Sequence, residues 1–316
     1  MRKFIFVFVI ASSNAWGNCG SAFCSVNTNT EIADDSVEPG FHANVRYEFV
    51  NLDQPRQHSK KVGVQGEPGT HDELETQNQR LIVGVDYAFN ERWAIGVQLP
   101  YIKRKHAHIH NPDADQILAG EEPEREAWNF SGIGDVRATG RYQLDYRGMT
   151  IGAHGGLKLP MGKHDGANDA GERAERSLQL GTGSTDVFVG LFAKGQISDT
   201  PLKWFAHTQW QHAIATKDEF LPGDEIIFDL GLNYSITRSL SGHLQMNMRY
   251  KLHDAGANAE PEESGGKYCY AAPGISYLFD NGVQIFGYIQ IPIYQNVNGI
   301  QLTQSVSYLT GVNFKF

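Results

Sequence analysis

The chain has 316 residues, a formal net charge of −9 and a mean hydropathy of −0.39. That acidic balance repels a polyanion and sets nucleic acid aside as a partner. Beyond residue 17 nothing approaches the roughly 20 apolar residues of a membrane helix, so a membrane-embedded chain of this composition must cross with strands, each a weak hydropathy signal.

Arg2 and Lys3 precede an apolar run over 4–11 that is too short to span a bilayer, and Ala15-Trp16-Gly17 offers small residues for cleavage. This is the pattern of a secretory signal over 1–17. Asn18 before Cys19 does not fit a lipoprotein, which carries Gly or Ala there. Residues 18–38 lack apolar periodicity and read as an extended leader, a candidate plug for a barrel mouth. Cys19 and Cys24 are close enough for a small disulfide loop in an oxidising compartment. A metal or haem site is the alternative reading of the pair, although the spacing is not that of a c-type haem motif. Cys269 is left over.

From residue 41 onward the chain alternates. In 41–50 the apolar set Phe41, Ala43, Val45, Tyr47, Phe49 interleaves with His42, Asn44, Arg46, Glu48. After a charged loop over 51–75, the segments 80–89 and 93–102 repeat the pattern around a turn at 90–92. A long acidic, histidine-bearing loop is expected over 103–129. Then come 132–144 and 149–159, a third long loop over 161–183, and the pairs 185–195 with 203–213 and 225–236 with 241–253. A polar loop over 254–265 leads to 267–279, which turns at Asp280-Asn281-Gly282, a strong hairpin signal, into 283–294. The last strand, 301–316, alternates Leu302, Gln304, Val306, Tyr308, Thr310, Val312, Phe314, Phe316 with Thr303, Ser305, Ser307, Asn313, Lys315.

Side-chain direction alternates along a strand, so one set of each segment shares a face. In every assigned strand centre that face is apolar and essentially uncharged, as lipid contact requires, since a charge at mid-bilayer costs about 2–4 kcal/mol. Trp93, Tyr101, Trp204, Tyr308 and Phe316 sit off-centre on it, as interfacial aromatics do. Long and short connections alternate. The expected fold is all-β: one transmembrane antiparallel up-and-down barrel of about twelve strands over 39–316. Its place is the outer membrane of a Gram-negative bacterium after Sec-type export, with outer-membrane lipid and lipopolysaccharide around it. Phe314 and Phe316 at the last strand are the expected signal for the barrel-assembly machinery.

The segments GIGDVRATGRYQL (132–144), GLKLPMG (156–162), LGTGSTD (180–186), SGGKYCYAAPGISYLF (264–279) and YIQIPIYQNVNGIQL (288–302) resemble a family of outer-membrane proteins named for the meta-pathway of phenol degradation. The resemblance spans roughly 130–316 and implies a barrel. Members are thought of as outer-membrane channels, some tied to uptake of aromatic compounds. The name reflects the genomic setting of certain members, so phenol is not assigned here.

The polar faces give the expected lumen. Its basic members are Arg46, Arg80, Arg137, Arg141, Lys158, Lys194, Arg249, Lys251 and Lys315, opposed by Glu48, Asp86, Asp135, Asp186 and Asp229, with His243 and Asn247 among them. An excess of base favours anionic or polar solutes; the same charges also suit pairing across a narrow interior. Phe286, Tyr288 and Tyr294 are expected to face the lumen, either as a slide for an aromatic solute or as packing. His106, His108 and His110 alternate beside Asp113 and Asp115, a set suited to Zn, Cu or Ni; a solvated loop is the bland alternative. Glu121, Glu122, Glu124 and Glu126 next to them suit divalent cations and lipopolysaccharide. No resident cofactor is expected beyond such a loop-bound divalent ion. The expected function is passive passage of small solutes, aromatic or anionic, through an outer-membrane channel. A non-conducting structural or assembly barrel is the alternative. A lipid hydrolase stands third: it needs Ser beside His on the lipid-facing rim, whereas His42, His154, His207 and His243 fall on the polar face.

Overall fold

The computed structural model describes residues 38–316 apart from 64, 65, 67, 170 and 172. The signal, the leader and the Cys19–Cys24 pair lie outside the described residues. The described chain forms strands β1 (Gly40–Gln57), β2 (Lys60–Lys61), β3 (His71–Ala88), β4 (Trp93–His110), β5 (Glu124–Ile133), β6 (Val136–Tyr146) and β7 (Met149–Leu159). It continues with β8 (Thr185–Gln196), β9 (Leu202–Ala215), β10 (Glu225–Ser235), β11 (Leu240–Lys251), β12 (Gly266–Leu278), β13 (Gln284–Val297) and β14 (Ile300–Lys315). A short helix, α1 (Ala114–Leu118), is capped by the Asp113 side chain.

Consecutive staves pair antiparallel, and β14 returns to β1 with His42 opposite Lys315 and Gln57 opposite Ile300, which closes the barrel. β5 and β6 share one stave. β5 pairs the far half of β4, Tyr101 opposite Ile133, and β6 pairs the near half, Trp93 opposite Tyr142. With β2 only a two-residue extension on β1, the wall has twelve staves.

The alternation reads out as expected through the middle of the wall. On β4 the outward row Trp93, Ile95, Val97, Leu99, Tyr101 is about half exposed throughout, and on β8 Val189 and Leu191 are exposed by 54% and 62%. An apolar belt that continues around the wall is far larger than any patch a water-soluble monomer shows. Trp93 to Tyr101 climbs about 21 Å at a strand tilt of about 40°, close to the apolar band of outer-membrane barrels. The fold is that of a Gram-negative outer-membrane β-barrel.

Several expectations need correction. β1, β3 and β4 run well past the belt, so His106, His108 and His110 lie on a strand and not in a loop, and the connection shrinks to 111–123 around α1. Above the belt the wall meets water, so nothing demands apolar residues facing out and the period-two signal vanishes while the ladder continues. Tyr294 faces outward, 46% exposed. A bulge at Ile293, where Cys269 pairs Tyr294 but Tyr270 pairs Pro292, inverts the parity beyond it. On β14, register shifts opposite Leu52 turn Gln304 and Leu302 inward, 3% and 1% exposed, against the expected outward set. The last connection, at 298–299, is a tight turn rather than a loop.

Candidate functional site

The long segment between β7 and β8 does not stay outside. It enters the barrel, where Ala174, Leu178 and Leu180 pack against Ile102, Trp128 and Phe130 in one buried cluster that also takes in Val50, Leu52, Leu302, Phe286 and Tyr288. Phe286 and Tyr288 are therefore packing, 5% and 4% exposed, and not a slide.

Three of the segments quoted above hold this inward loop. The carboxylate of Asp135, in the break between β5 and β6, accepts from Gly162 N at 3.1 Å, Thr182 N at 2.9 Å and Thr182 Oγ1 at 2.8 Å. Lys158 Nζ, at the end of β7, lies 2.7 Å from Asp186 and 3.6 Å from Asp135, donates to Ser184 Oγ at 3.1 Å, and also bonds Thr182 Oγ1. The ammonium is buried with two carboxylates and two hydroxyls around it, the pairing that buried charge requires. The stem closes because Gly162 and Gly181 touch back to back: a Cβ on Gly181 would sit 2.6 Å from Gly162 O and 2.5 Å from Asp135 Oδ1. Further out, Arg104 is fully buried on β4, bonding Asn78 and donating Nη1 to Leu178 O at 2.7 Å and Gln179 O at 2.6 Å. Arg176 donates to His164 O at 2.7 Å, Thr182 O at 2.9 Å and Asp218 at 3.2 Å, tying the inward loop to the 216–224 connection.

Beside this loop a cavity of about 320 Å³ remains. Its lining includes Asp86 and Ala94 near the short-turn rim and Pro222 and Gly223 at the long-loop end. Of the residues expected in the lumen, Arg46, Glu48, Arg80, Asp86, Asp135, Arg137, Arg141, Lys158, Asp186, Arg249 and Lys251 line it. Lys194, Asp229, His243, Asn247 and Lys315 share the inward parity of their strands but lie away from this cavity. The lining has an apolar side that the sequence reading passed over: Phe188, Phe192 and Phe220, with the Arg137 guanidinium 4.2 Å from the Phe188 ring centre. Phe188 and Phe192 share the strand parity of Asp186 and Lys194, so the alternation carried the signal. Phe220 sits in a connection and had none. Arg137 also donates to Gln211 at 3.0 Å, and Gln211 to Asp186 at 2.6 Å.

A hydrogen-bonded chain runs from the cavity wall, which His154 and His207 also line, into the rest of the interior. His154 meets His207 at 2.9 Å, His207 meets Asp229 at 2.9 Å, and Asn247 donates to Asp229 at 2.8 Å. Gln290 donates to Asn247 at 3.3 Å and Gln304 to Gln290 at 3.1 Å. Nearby, Asn233 Oδ1, His243 and Ser276 Oγ line up at 2.7 and 2.8 Å. The Ser-His-Asn order is that of a nucleophilic triad. It faces inward with Ser276 5% exposed, not toward lipid.

The histidines of β4 divide. His106 Nε2 lies 3.4 Å from His108 Nδ1 and 3.5 Å from Glu73 on β3, while His108 Nδ1 is 3.9 Å from Glu73. His110 instead contacts His71 at 2.7 Å. Glu126, expected with its neighbours to meet divalent cations and lipopolysaccharide, reaches back to His108 Nε2 at 2.9 Å. This group stands above the apolar belt. Burial, with Glu175, Glu260, Glu263 and Asp72 nearby, holds the Glu73 carboxyl well above the usual carboxylate range. Burial, with His108 and Arg104, holds His106 well below the usual imidazole value.

No family model matches the chain, and no curated protein does. Among solved structures, an outer membrane channel from Pseudomonas putida F1 superimposes with a TM-score of 0.66 over 92% of this chain and all of that one, at 14% identity. The Ralstonia pickettii toluene transporter TbuX follows at 0.47, covering 95% of both chains at 9% identity. The CymD monoaromatic hydrocarbon channel is at 0.45, covering 89% of both at 11%. The likeness to the Pseudomonas putida channel over its full length is a likeness of fold: this chain shares the closed outer-membrane barrel, inferred above from its own wall.

Proposed function

We propose that the chain is a passive outer-membrane channel for small organic solutes, with a preference for anions that carry an aromatic or apolar body. The cavity beside the inward loop supports this reading, because its lining reaches from one end of the barrel to the other and joins two chemistries. Seven basic side chains stand against five acidic ones (Glu48, Asp86, Asp135, Asp186, Glu225), and Phe188, Phe192 and Phe220 supply an apolar wall. A guanidinium stacked on a ring offers a carboxylate-binding N–H fork and an aromatic face to one solute. Membership in the meta-pathway family is the finer reading; the convergence of its 132–144, 156–162 and 180–186 segments on one anchor favours it. The exposed Phe316, whose backbone N–H donates to Phe41 O at 3.0 Å, is proposed with Phe314 as the handle for the assembly machinery.

The test is conductance and reversal potential in planar bilayers, with benzoate and benzylammonium uptake by proteoliposomes. Benzoate should permeate faster, and Arg137→Ala should narrow the difference. An ion-tight barrel, or one that prefers benzylammonium, overturns the proposal. The inward Asn233–His243–Ser276 line gives the hydrolase reading its only foothold among the described residues, and hydrolysis of phospholipid by the purified barrel decides it.

A further inference from the structure

We infer that Glu73, His106 and His108 form a binding site for a single borderline divalent transition ion, of which Zn²⁺ is the representative, at the loop-side mouth of the barrel. The inference stands apart from the channel reading.

The first observation is geometric. Zn–N and Zn–O bonds of about 2.0–2.1 Å at tetrahedral angles place ligand atoms about 3.3 Å apart. Here His106 Nε2 and His108 Nδ1 are 3.4 Å apart, His106 Nε2 and Glu73 are 3.5 Å apart, and His108 Nδ1 and Glu73 are 3.9 Å apart. All three residues are buried, and their ligand atoms converge within 4.8 Å.

The second observation is that partners outside the triangle orient both rings. Thr76 Oγ1 sits 2.9 Å from His106 Nδ1, and Glu126 Oε2 sits 2.9 Å from His108 Nε2. A carboxylate accepts only, so His108 donates through Nε2–H and turns a lone pair inward at Nδ1. Thr76 Oγ1 can donate or accept, so it admits the His106 tautomer with Nδ1–H, in which Nε2 turns a lone pair inward. Histidines that bind metal are oriented this way by an outer carboxylate or hydroxyl.

The third observation concerns Glu73. Its side chain is 1% exposed and neither carboxylate oxygen has a hydrogen-bond partner. Three potential ligand atoms, one of them on a carboxyl group without a hydrogen-bond partner, therefore converge on one buried point, and a buried polar group left unmatched costs about 1–3 kcal/mol. A divalent ion matches all three at once. Two imidazoles select a borderline transition ion over Ca²⁺ or Mg²⁺, which want six or more oxygen ligands. Three protein ligands leave a fourth position open. The ion would clamp β3 to β4, and through Glu126 to β5, where the wall stands clear of lipid.

The experiment uses the untagged, folded barrel in detergent after chelator treatment. Zn²⁺ titration by calorimetry should show one equivalent bound, and zinc-edge X-ray absorption should show two imidazoles. Glu126→Gln should weaken binding by about 10–100-fold, the usual worth of an outer partner. Glu73→Gln and His106→Ala should weaken it further, and His110→Ala should leave it unchanged. No stoichiometric binding by the folded wild type overturns the inference, as does a zinc edge with fewer than two imidazoles or full affinity in Glu73→Gln. Because the absorption measurement needs only wild type, a variant that fails to fold does not shelter the idea.

Discussion

Removing the Arg104 guanidinium is the sharpest perturbation of the inward loop. Arg104 is fully buried, and its three acceptors are Asn78 Oδ1 and the carbonyls of Leu178 and Gln179. Hydrogen bonds from a charged donor contribute about 1.5–3 kcal/mol each, so the two on the inward loop give an upper bound of about 3–6 kcal/mol for its docking, the Asn78 bond lying within the wall. Arg104→Ala leaves a hole that water can enter, which recovers part of this. The expected net cost is about 3–5 kcal/mol, the range for removing one partner from a buried charged network. The cost falls on the docking of the loop and not on the wall, because the β3–β4 ladder continues on both sides of residue 104. At about 1.4 kcal/mol per decade, the undocked population rises by about 10²–10⁴-fold. Leu178 remains buried on the docked loop, worth about 1.5–3 kcal/mol, so the loop should exchange between seated and released states. Single-channel recordings should show larger, flickering conductance steps, and trypsin should cut at Arg173 or Arg176 in the folded, heat-modifiable variant. Arg104→Lys should fall between, since an ammonium cannot match a planar fork to three acceptors. Wild-type conductance and wild-type protection in a folded Arg104→Ala barrel would refute the reasoning.

Three further outcomes follow from side-chain placement. Tyr288→Ala should cost about 3–5 kcal/mol in equilibrium unfolding and Tyr294→Ala under about 1 kcal/mol, because Tyr288 is in the core cluster and Tyr294 faces out; equal effects would mean the Ile293 bulge is misplaced. Lys158→Met should strand the carboxylates of Asp135 and Asp186 at about 3–5 kcal/mol, and adding Asp186→Asn should recover part of that loss in the same unfolding assay. Ser276→Ala should leave phospholipid turnover by the purified protein at its wild-type level; a drop would make the Asn233–His243–Ser276 line a working nucleophilic site.

What could be read from sequence tracks where lipid imposes a rule. On β4, lipid contact forces Trp93, Ile95, Val97, Leu99 and Tyr101 outward, so parity there is visible and assigns Arg46, Arg137 and Lys158 to the interior without a structure. Residue 103 and beyond obey no such rule. There the ladder is held by backbone hydrogen bonds that any residue can make, so Lys103–His110 reads as loop although it is strand. Bulges defeat parity for a different reason: one extra residue at Ile293 costs little locally yet inverts every later side chain on that strand. The inward loop was hidden as well. A polar, glycine-bearing segment over 161–183 looks the same whether it waves in water or folds back, and the meeting of Asp135, Lys158 and Thr182, with Leu178 in the interior cluster, shows that it folds back.

The candidate metal centre shows how near the sequence came. His106 and His108 are two residues apart, so any extended chain puts them on one side, and that much was legible. The third ligand depends on register. Counting outward from the turn at 89–92, the uninterrupted ladder pairs Thr76 with His106, which places the ring-orienting hydroxyl once β3 and β4 are allowed to continue past the belt. The same count sets Leu74 opposite His108. The observed ladder slips at Leu74, and Glu73 takes that place instead. A single bulge thus replaces a leucine with a carboxylate beside two imidazoles. His110 loses its expected role by the same slip, since His71 becomes its partner across the ladder. Binding that survives His110→Ala but not Glu73→Gln is therefore a solution test of that slip as well as of the ion.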